Sequence, residues 1–244
     1  MEKIMNSDKN KLVYELSQIN LTLSENQINQ FMNYYDLLIE WNNVMNLTTI
    51  TDFEEVVMKH FIDSLSIVKY VDLSQLETAI DIGTGAGFPG IPLKIAFPNI
   101  KFTLLDSVNK KVDFLNDVID NLNLQDITAI HGRAEDLAQM SDQREMYDIA
   151  VSRAVAQLNT LAEYCMPFVK EGGMFVPYKS GEIEQELLNA NNAVKIFGGN
   201  IVKVEHFILP NSDINRSFVI IKKNEKTPNK YPRKAGKPSK QPIL

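Results

Sequence analysis

The stretch DIGTGAGFPG, residues 81–90, places an acid and four glycines within ten positions. Glycines at this density let a backbone approach a ligand closely. Three ligand chemistries compete for such a turn. A nucleoside triphosphate loop needs a Gly-Lys-Ser/Thr ending, and GFPGIPLK has none. A dinucleotide turn is met in one register: Gly85, Gly87 and Gly90 read G-x-G-x-x-G, and the acid Asp106 follows about 20 residues later. A second register, D-x-G-x-G-x-G, uses Asp81, Gly83, Gly85 and Gly87. It suits S-adenosylmethionine, whose ammonium and sulfonium are attracted by a carboxylate near the turn. The same carboxylate would repel a pyrophosphate.

The elements around the turn favour the second register. TAIDIG reads as a buried strand running into the glycines, and PGIPLKIAF as a helix with proline in its first turn. KFTLLD, DITAIHG, YDIAVSRAV and GGMFVPYKS read as further strands. NKKVDFLNDVIDNLNL between them has Val112, Leu115, Val118, Ile119 and Leu122 on one helical face. LNTLAEYCMPFV and IEQELLNANNAVKIF are also expected to be helices. Strand–helix alternation predicts a parallel sheet covered on both faces. The end departs from this: NIVKVEHFILP and RSFVIIKK are separated only by NSDIN, which predicts an antiparallel hairpin. A dinucleotide fold would go on adding right-handed strand–helix–strand units, whereas α/β methyltransferase sheets resemble this pattern, with a reversed last strand.

Residues 1–70 read as helices. SENQINQFMNYYDLLIEWNNVMNL has a capping signature at Ser24 with Gln27 three positions on. Its stripe of Ile28, Phe31, Tyr35, Leu38 and Trp41 is expected to be core. DFEEVVMKHFIDSLSIVKYV follows, with Asp52 as its expected N-cap. The expected organisation is an N-terminal helical segment (1–70), a ligand-binding α/β domain (71–223) and a basic C-terminal tail (224–244).

The chain carries a net charge of −6, yet Lys222–Leu244 alone amounts to about +7. The tail, YPRKAGKPSKQPIL, is rich in Pro, Lys and Gly and is expected to be flexible or extended. An acidic body is not drawn to nucleic acid, but such a tail can contact phosphates. A single cysteine, Cys165, excludes an intrachain disulfide. The opening residues have no signal-peptide apolar core, and no apolar run is long enough to span a membrane. A reduced cytoplasmic protein is expected.

WNNVMNLTTI, KHFIDSLS, DIGTGAGFPGIPLKI, LLDSVNKKVDFL, GRAED, SRAVA and YPRKAGKPSKQPI are spread over nearly the whole chain. Together they resemble the ribosomal RNA small subunit methyltransferase G family, also known as glucose-inhibited division protein B. The FPGIPLKI extension and the SRA element are far more selective than the glycines.

The resemblance implies a Rossmann-like class I S-adenosylmethionine-dependent methyltransferase fold. Its α/β core is a seven-stranded, mostly parallel sheet with an antiparallel last strand. The implied activity is methylation of N7 of a guanine in bacterial 16S ribosomal RNA. The implied cofactor residues are Asp81, Gly83, Gly85, Phe88, Asp106, Ala134, Glu135 and Arg153. Of these, Asp106 would bind the ribose, and Ala134 with Glu135 the adenine. Arg153 would position substrate or cofactor.

The residue types fit that chemistry. Cys165 sits in the apolar face LAEYCMPF, where it reads as packing rather than as a nucleophile for pyrimidine C5. Ser152-Arg153-Ala154 stands where amine methyltransferases carry an Asn/Asp-Pro-Pro-Tyr-like element. Guanine N7 presents a lone pair and has no proton to lose, so alignment and desolvation suffice and no general base is needed. Lys110, Lys111, Arg233, Lys234, Lys237 and Lys240 are the expected RNA contacts. His60, His131 and His206 share no metal-ligand spacing, so no metal is expected. The expected partner is ribosomal RNA or a small-subunit particle, and a monomer is expected. A nicotinamide-dependent oxidoreductase and a non-enzymatic RNA-binding assembly protein remain as alternatives.

Overall fold

The computed structural model describes residues 2–244, with side-chain surroundings from residue 7. Two helices open the chain, α1 (Glu2–Gln18) and α2 (Glu25–Asn42). Ser24 caps α2 through a capping box: its hydroxyl accepts the Gln27 N–H, and the Gln27 side chain accepts the Ser24 N–H. The buried face of α2 carries Ile28, Phe31, Tyr34 and Leu38. Tyr34, not the expected Tyr35, is the inward tyrosine; Tyr35 is half-buried and donates to the Thr51 carbonyl.

The next helical run changes pitch three times. It starts at α3 (Phe53–Val56), capped by Asp52, which accepts the Glu55 N–H. It widens to a π-helix over Val57–Ile62, tightens at α4 (Asp63–Leu65) and ends as 3₁₀ over Ser66–Lys69. Such π-turns are rare and re-aim side chains. This one precedes Asp63 and carries Lys59 and His60.

The sheet comprises β1 (Thr78–Ile82), β2 (Lys101–Asp106), β3 (Ile127–His131), β4 (Tyr147–Arg153), β5 (Val169–Ser180), β6 (Gly199–Ile208) and β7 (Asn215–Lys223). The helices between them are α5 (Gly90–Ala96), α6 (Asn109–Asn121), α7 (Ala134–Leu137), α8 (Leu158–Cys165) and α9 (Glu184–Ile196). The strand order is β3-β2-β1-β4-β5-β7-β6. Strands β1 to β5 pair in parallel, and β7 runs antiparallel to both β5 and β6. The order reverses between β1 and β4, so the carboxyl ends of these strands open a ligand crevice there.

The N-terminal helices share one apolar core with a face of the sheet: Leu12, Phe31, Phe61 and Leu65 join Ile91, Leu104, Phe114 and Val151. The second core, around Leu161, Phe168, Phe175 and Val194, lies on the other face. The five helical-face residues expected from Val112 to Leu122 are all buried.

The tail, expected to be flexible or extended, is largely irregular but docked. It folds back over α8 and ends in a short turn, α10 (Lys237–Lys240), with Pro238 buried. Arg144 donates to the Thr227 carbonyl at 2.7 Å and the Tyr231 carbonyl at 2.9 Å. Asn159 and Asn192 donate to the carbonyls of Ile243 and Leu244. Pro and Lys content gives a segment no local structure, but these distant donors hold it. Among the described residues no helix is long and apolar enough to cross a membrane.

Candidate cofactor and substrate site

The glycine turn joins β1 to α5 and is organised from beneath. Asp81 is fully buried, and its Oδ2 accepts the Thr84 hydroxyl at 2.7 Å and the Gly90 N–H at 2.8 Å. Its Oδ1 has no partner. Burial lifts its pKa to about 7, against the pull of the Thr84 and Gly90 bonds. The structure therefore corrects the expected role of Asp81: it is a foundation of the turn and lines neither cavity described below. From above, the Tyr34 hydroxyl donates to the Ala86 carbonyl, tying α2 to the turn. Gly83 and Gly85 have φ of +71° and +62°, the left-handed region that disfavours side chains. A Cβ on Gly83 would lie 2.5 Å from a Val155 methyl.

A cavity of about 340 Å³ opens at the carboxyl ends of β1, β2 and β3. Gly83, Asp106, Ala134 and Glu135 line it together, although 52 positions separate the first from the last in the chain. Asp106 accepts the Gly85 N–H through Oδ2 and the Val108 N–H through Oδ1, both at 2.9 Å. Its carboxylate is thus fixed at the cavity wall with lone pairs to spare. Lys111 Nζ stands 3.8 Å from Asp106 Oδ2, which gives this cation at the start of α6 a partner. Lys110 is exposed. Two carboxylates, Asp106 and Glu135, face this cavity against one guanidinium, Arg133. That balance suits a ligand with cationic groups and opposes a pyrophosphate, so the dinucleotide reading loses its footing.

The second cavity, about 670 Å³, lies on the other side of the loop after β4. Arg153 and Ala154 line this cavity, while Val155 and Ala156 line the first. Ala154 has φ +58°, strain of the kind that persists where surrounding contacts fix a functional turn. The loop is braced from α9: Glu186 accepts the Leu158 N–H, and Lys179 bridges Glu186 at 2.5 Å and the Ala156 carbonyl at 2.8 Å.

The floor of this cavity is a charge cluster that the sequence did not disclose. Asp63 is 1% exposed and holds two guanidiniums, Arg153 Nη1 on Oδ2 and Arg216 Nε on Oδ1, each at 2.9 Å. Arg153 also donates to the Lys59 carbonyl, meets His60 Nδ1 at 3.3 Å and lies over the Phe88 ring at 5.2 Å. Lys59 and Lys179 add two further cations, set against Glu182 and Glu186, so the lining carries four cations and three carboxylates. Phe88 stacks on His60 with 4.4 Å between ring centres and is 6% exposed. It lines neither cavity, so the expected packing of Phe88 on a cofactor gives way here to an aromatic cluster with His60, Tyr34 and Phe61.

His60 lines this cavity as a neutral and weakly basic ring near pH 7. Burial, then the Arg153 charge, lower its pKa to about 3. Its ring carbon resonances are expected to stay constant from pH 5 to 8 in an NMR titration. Movement with a midpoint near 6.5 would show the pocket to be open and hydrated.

Cys165 is fully buried and burial pushes its thiol pKa up, so it is no nucleophile. Among the described residues no three His, Cys, Asp or Glu side chains gather as metal ligands. Arg233, expected on RNA, is instead clamped on Glu163, which is 1% exposed: Nη2 donates to Oε2 at 2.6 Å and Nε to Oε1 at 2.8 Å. Lys234, Lys237 and Lys240 are exposed on the docked tail.

The model of the family described as rRNA small subunit methyltransferase G (GidB) matches residues 27–215. The chain belongs to this family. It is 50% identical over 237 residues to the ribosomal RNA small subunit methyltransferase G of Lachnoclostridium phytofermentans, covering 97% of this chain and 98% of that protein. The protein of the same name from Staphylococcus carnosus is 49% identical over 234 residues, covering 96% and 98%. Solved structures share the fold. The O-methyltransferase domain StiE superposes with TM-score 0.56 at 14% identity, covering 77% of this chain and 83% of that one. M. jannaschii TYW2 in complex with AdoMet gives 0.51 at 13% identity, covering 63% and 72%. The chain is thus a class I S-adenosylmethionine-dependent methyltransferase.

Proposed function

We propose that the chain methylates N7 of a guanine in small-subunit ribosomal RNA. The smaller cavity takes the cofactor and the larger one takes the nucleotide. The observation that carries this reading is the meeting of two cavities on one loop, 153–157, one lined by Asp106 and Glu135 and the other floored by the Asp63-held pair Arg153 and Arg216. When bound, S-adenosylmethionine supplies an electrophilic methyl group whose departure leaves a neutral thioether. Asp106 would hold the ribose hydroxyls, the Gly83 backbone would receive the methionine end and Ala134 with Glu135 the adenine, while Gly85, which lines neither cavity, holds Asp106 in place through its N–H. Arg153 and Arg216, fixed by Asp63, attract and orient the phosphate-bearing nucleotide. The aromatic packing behind them keeps water out. Guanine N7 sheds no proton on methylation, so a neutral His60 and a buried Asp81 are no handicap; positioning supplies the rate. The names of the relatives, which refer to small-subunit ribosomal RNA, support the substrate class. Exposed Lys110, Lys234, Lys237 and Lys240 supply sequence-independent phosphate contacts, and binding weakens steeply with salt.

The test is transfer of labelled methyl to ribosomal RNA or small-subunit particles from cells lacking the enzyme, followed by chemical cleavage at N7-methylguanine. One cleaved guanine is expected; incorporation without cleavage would move the acceptor to another atom. Arg216→Ala is expected to raise the KM for RNA about tenfold or more, through loss of a charge-assisted contact. Affinity for S-adenosylhomocysteine should be unchanged, and equal losses in both would place Arg216 in the cofactor site instead.

A further inference from the structure

The docked tail reaches the cofactor cavity. Gly236 and Ser239 line it opposite Asp106, and the Gly236 N–H donates to Glu135 Oε1 at 2.9 Å. Upstream, the Arg233 guanidinium and its own N–H both reach the buried Glu163 carboxylate. Downstream, Pro238 is buried against α8, where the Thr160 hydroxyl meets its carbonyl at 3.5 Å. Nothing in the composition of YPRKAGKPSKQPI points to this place.

We propose that residues 231–244 form a strap that is part of the cofactor site, latched by Arg233–Glu163 and coupled to the ligand through Glu135. The inference rests on the cofactor reading of that cavity. One oxygen of Glu135 is held by the strap, which leaves the other free for the exocyclic amine of an adenine. Strap and ligand therefore orient the same carboxylate. A ligand that needs the docked strap suppresses strap opening by the factor 1 + [L]/Kd. Each side then stabilises the other equally, as linkage requires.

Limited trypsin digestion of the full chain tests this. Lys234 and Lys240 are exposed, but cleavage after them requires the strap to lift. Without ligand, both bonds should be cut well before the β6–β7 hairpin, which is held until global unfolding. S-adenosylhomocysteine at 100 times its Kd should slow strap cleavage about a hundredfold. The strap-cut protein, and Arg233→Ala, should bind S-adenosylhomocysteine at least tenfold more weakly by calorimetry, with Arg233→Lys in between. Because Arg233→Ala leaves a buried carboxylate unpaired and weakens the fold, the wild-type protection experiment stands independently of it. Strap cleavage at the same rate with saturating S-adenosylhomocysteine, bound as shown by calorimetry, overturns the strap alone. A wild-type chain that does not bind S-adenosylhomocysteine overturns the cofactor reading and the strap with it.

Discussion

Asp106→Ala is expected to weaken S-adenosylhomocysteine binding by about a hundredfold or more, while a folded sheet remains. Two effects combine. The variant loses a carboxylate that accepts the ribose hydroxyls, and hydrogen bonds to a charged group contribute about 1.5–3 kcal/mol each. It also frees the Gly85 and Val108 N–H groups, which Asp106 holds at 2.9 Å, so the glycine turn loses its partner across β2. Asp106→Asn separates the two, since its one amide oxygen can satisfy only part of this set. Calorimetry across the three proteins should rank wild type, Asn and Ala in that order of affinity. An Ala variant that binds as wild type would remove Asp106 from the cofactor site.

Comparison with Asp81→Asn should show wild-type stability falling as pH rises from about 4 to 7. The sign follows from the direction of the shift. Burial raises the folded pKa of Asp81 to about 7, above the value of 3.8 for an unperturbed carboxyl. Between these values the unfolded chain has lost the proton and the folded chain retains it, so each added pH unit favours unfolding. The accumulated difference reaches about 4 kcal/mol at most, and is flat above the folded pKa. Asn keeps an acceptor for the Thr84 hydroxyl and the Gly90 N–H without the buried charge. Urea melts of both proteins at stepped pH measure the difference; parallel curves would mean that Asp81 is ionised in the fold. His60 acts in the opposite sense, since its lowered pKa contributes stability that is present above about 6.5 and is lost on acidification. It is common to both proteins and cancels.

Local patterns carry much of the fold. Ser24 with Gln27, the apolar face from Val112 to Leu122 and the five-residue break NSDIN each fix a cap, a helix or a hairpin through neighbours in the chain. They are legible for that reason. The strand–helix alternation also brings Gly83 and Asp106, at strand ends, to the same edge as Ala134 and Glu135, which open α7 and were expected from the family resemblance rather than from the pattern.

What stays hidden depends on distant partners. Asp63 looks like any polar residue of an amphipathic helix until Arg153 and Arg216 meet it. The tail reads as solvated because neither Glu163 nor Arg144 is near it in sequence. Tyr34 and Tyr35 are adjacent, and helical periodicity alone does not choose between them; the Ala86 carbonyl does. The place of Phe88 after the glycines suggests a cofactor neighbour, but its ring stacks on His60, which lies in the distant π-helical turn.

The bond between Asp63 and Arg216 joins residues 153 positions apart, and β7 fills the space between β5 and β6. Translation delivers these parts in order, from the N-terminal helices to the final strand. Until residue 223 is available, β5 presents an unpaired edge and the larger cavity lacks Arg216. Closure waits on some of the longest-range contacts in the molecule, which form late and slowly. A chain that stops short of β7 therefore lacks both the partner of β5 and the Arg216 side of the Asp63 cluster.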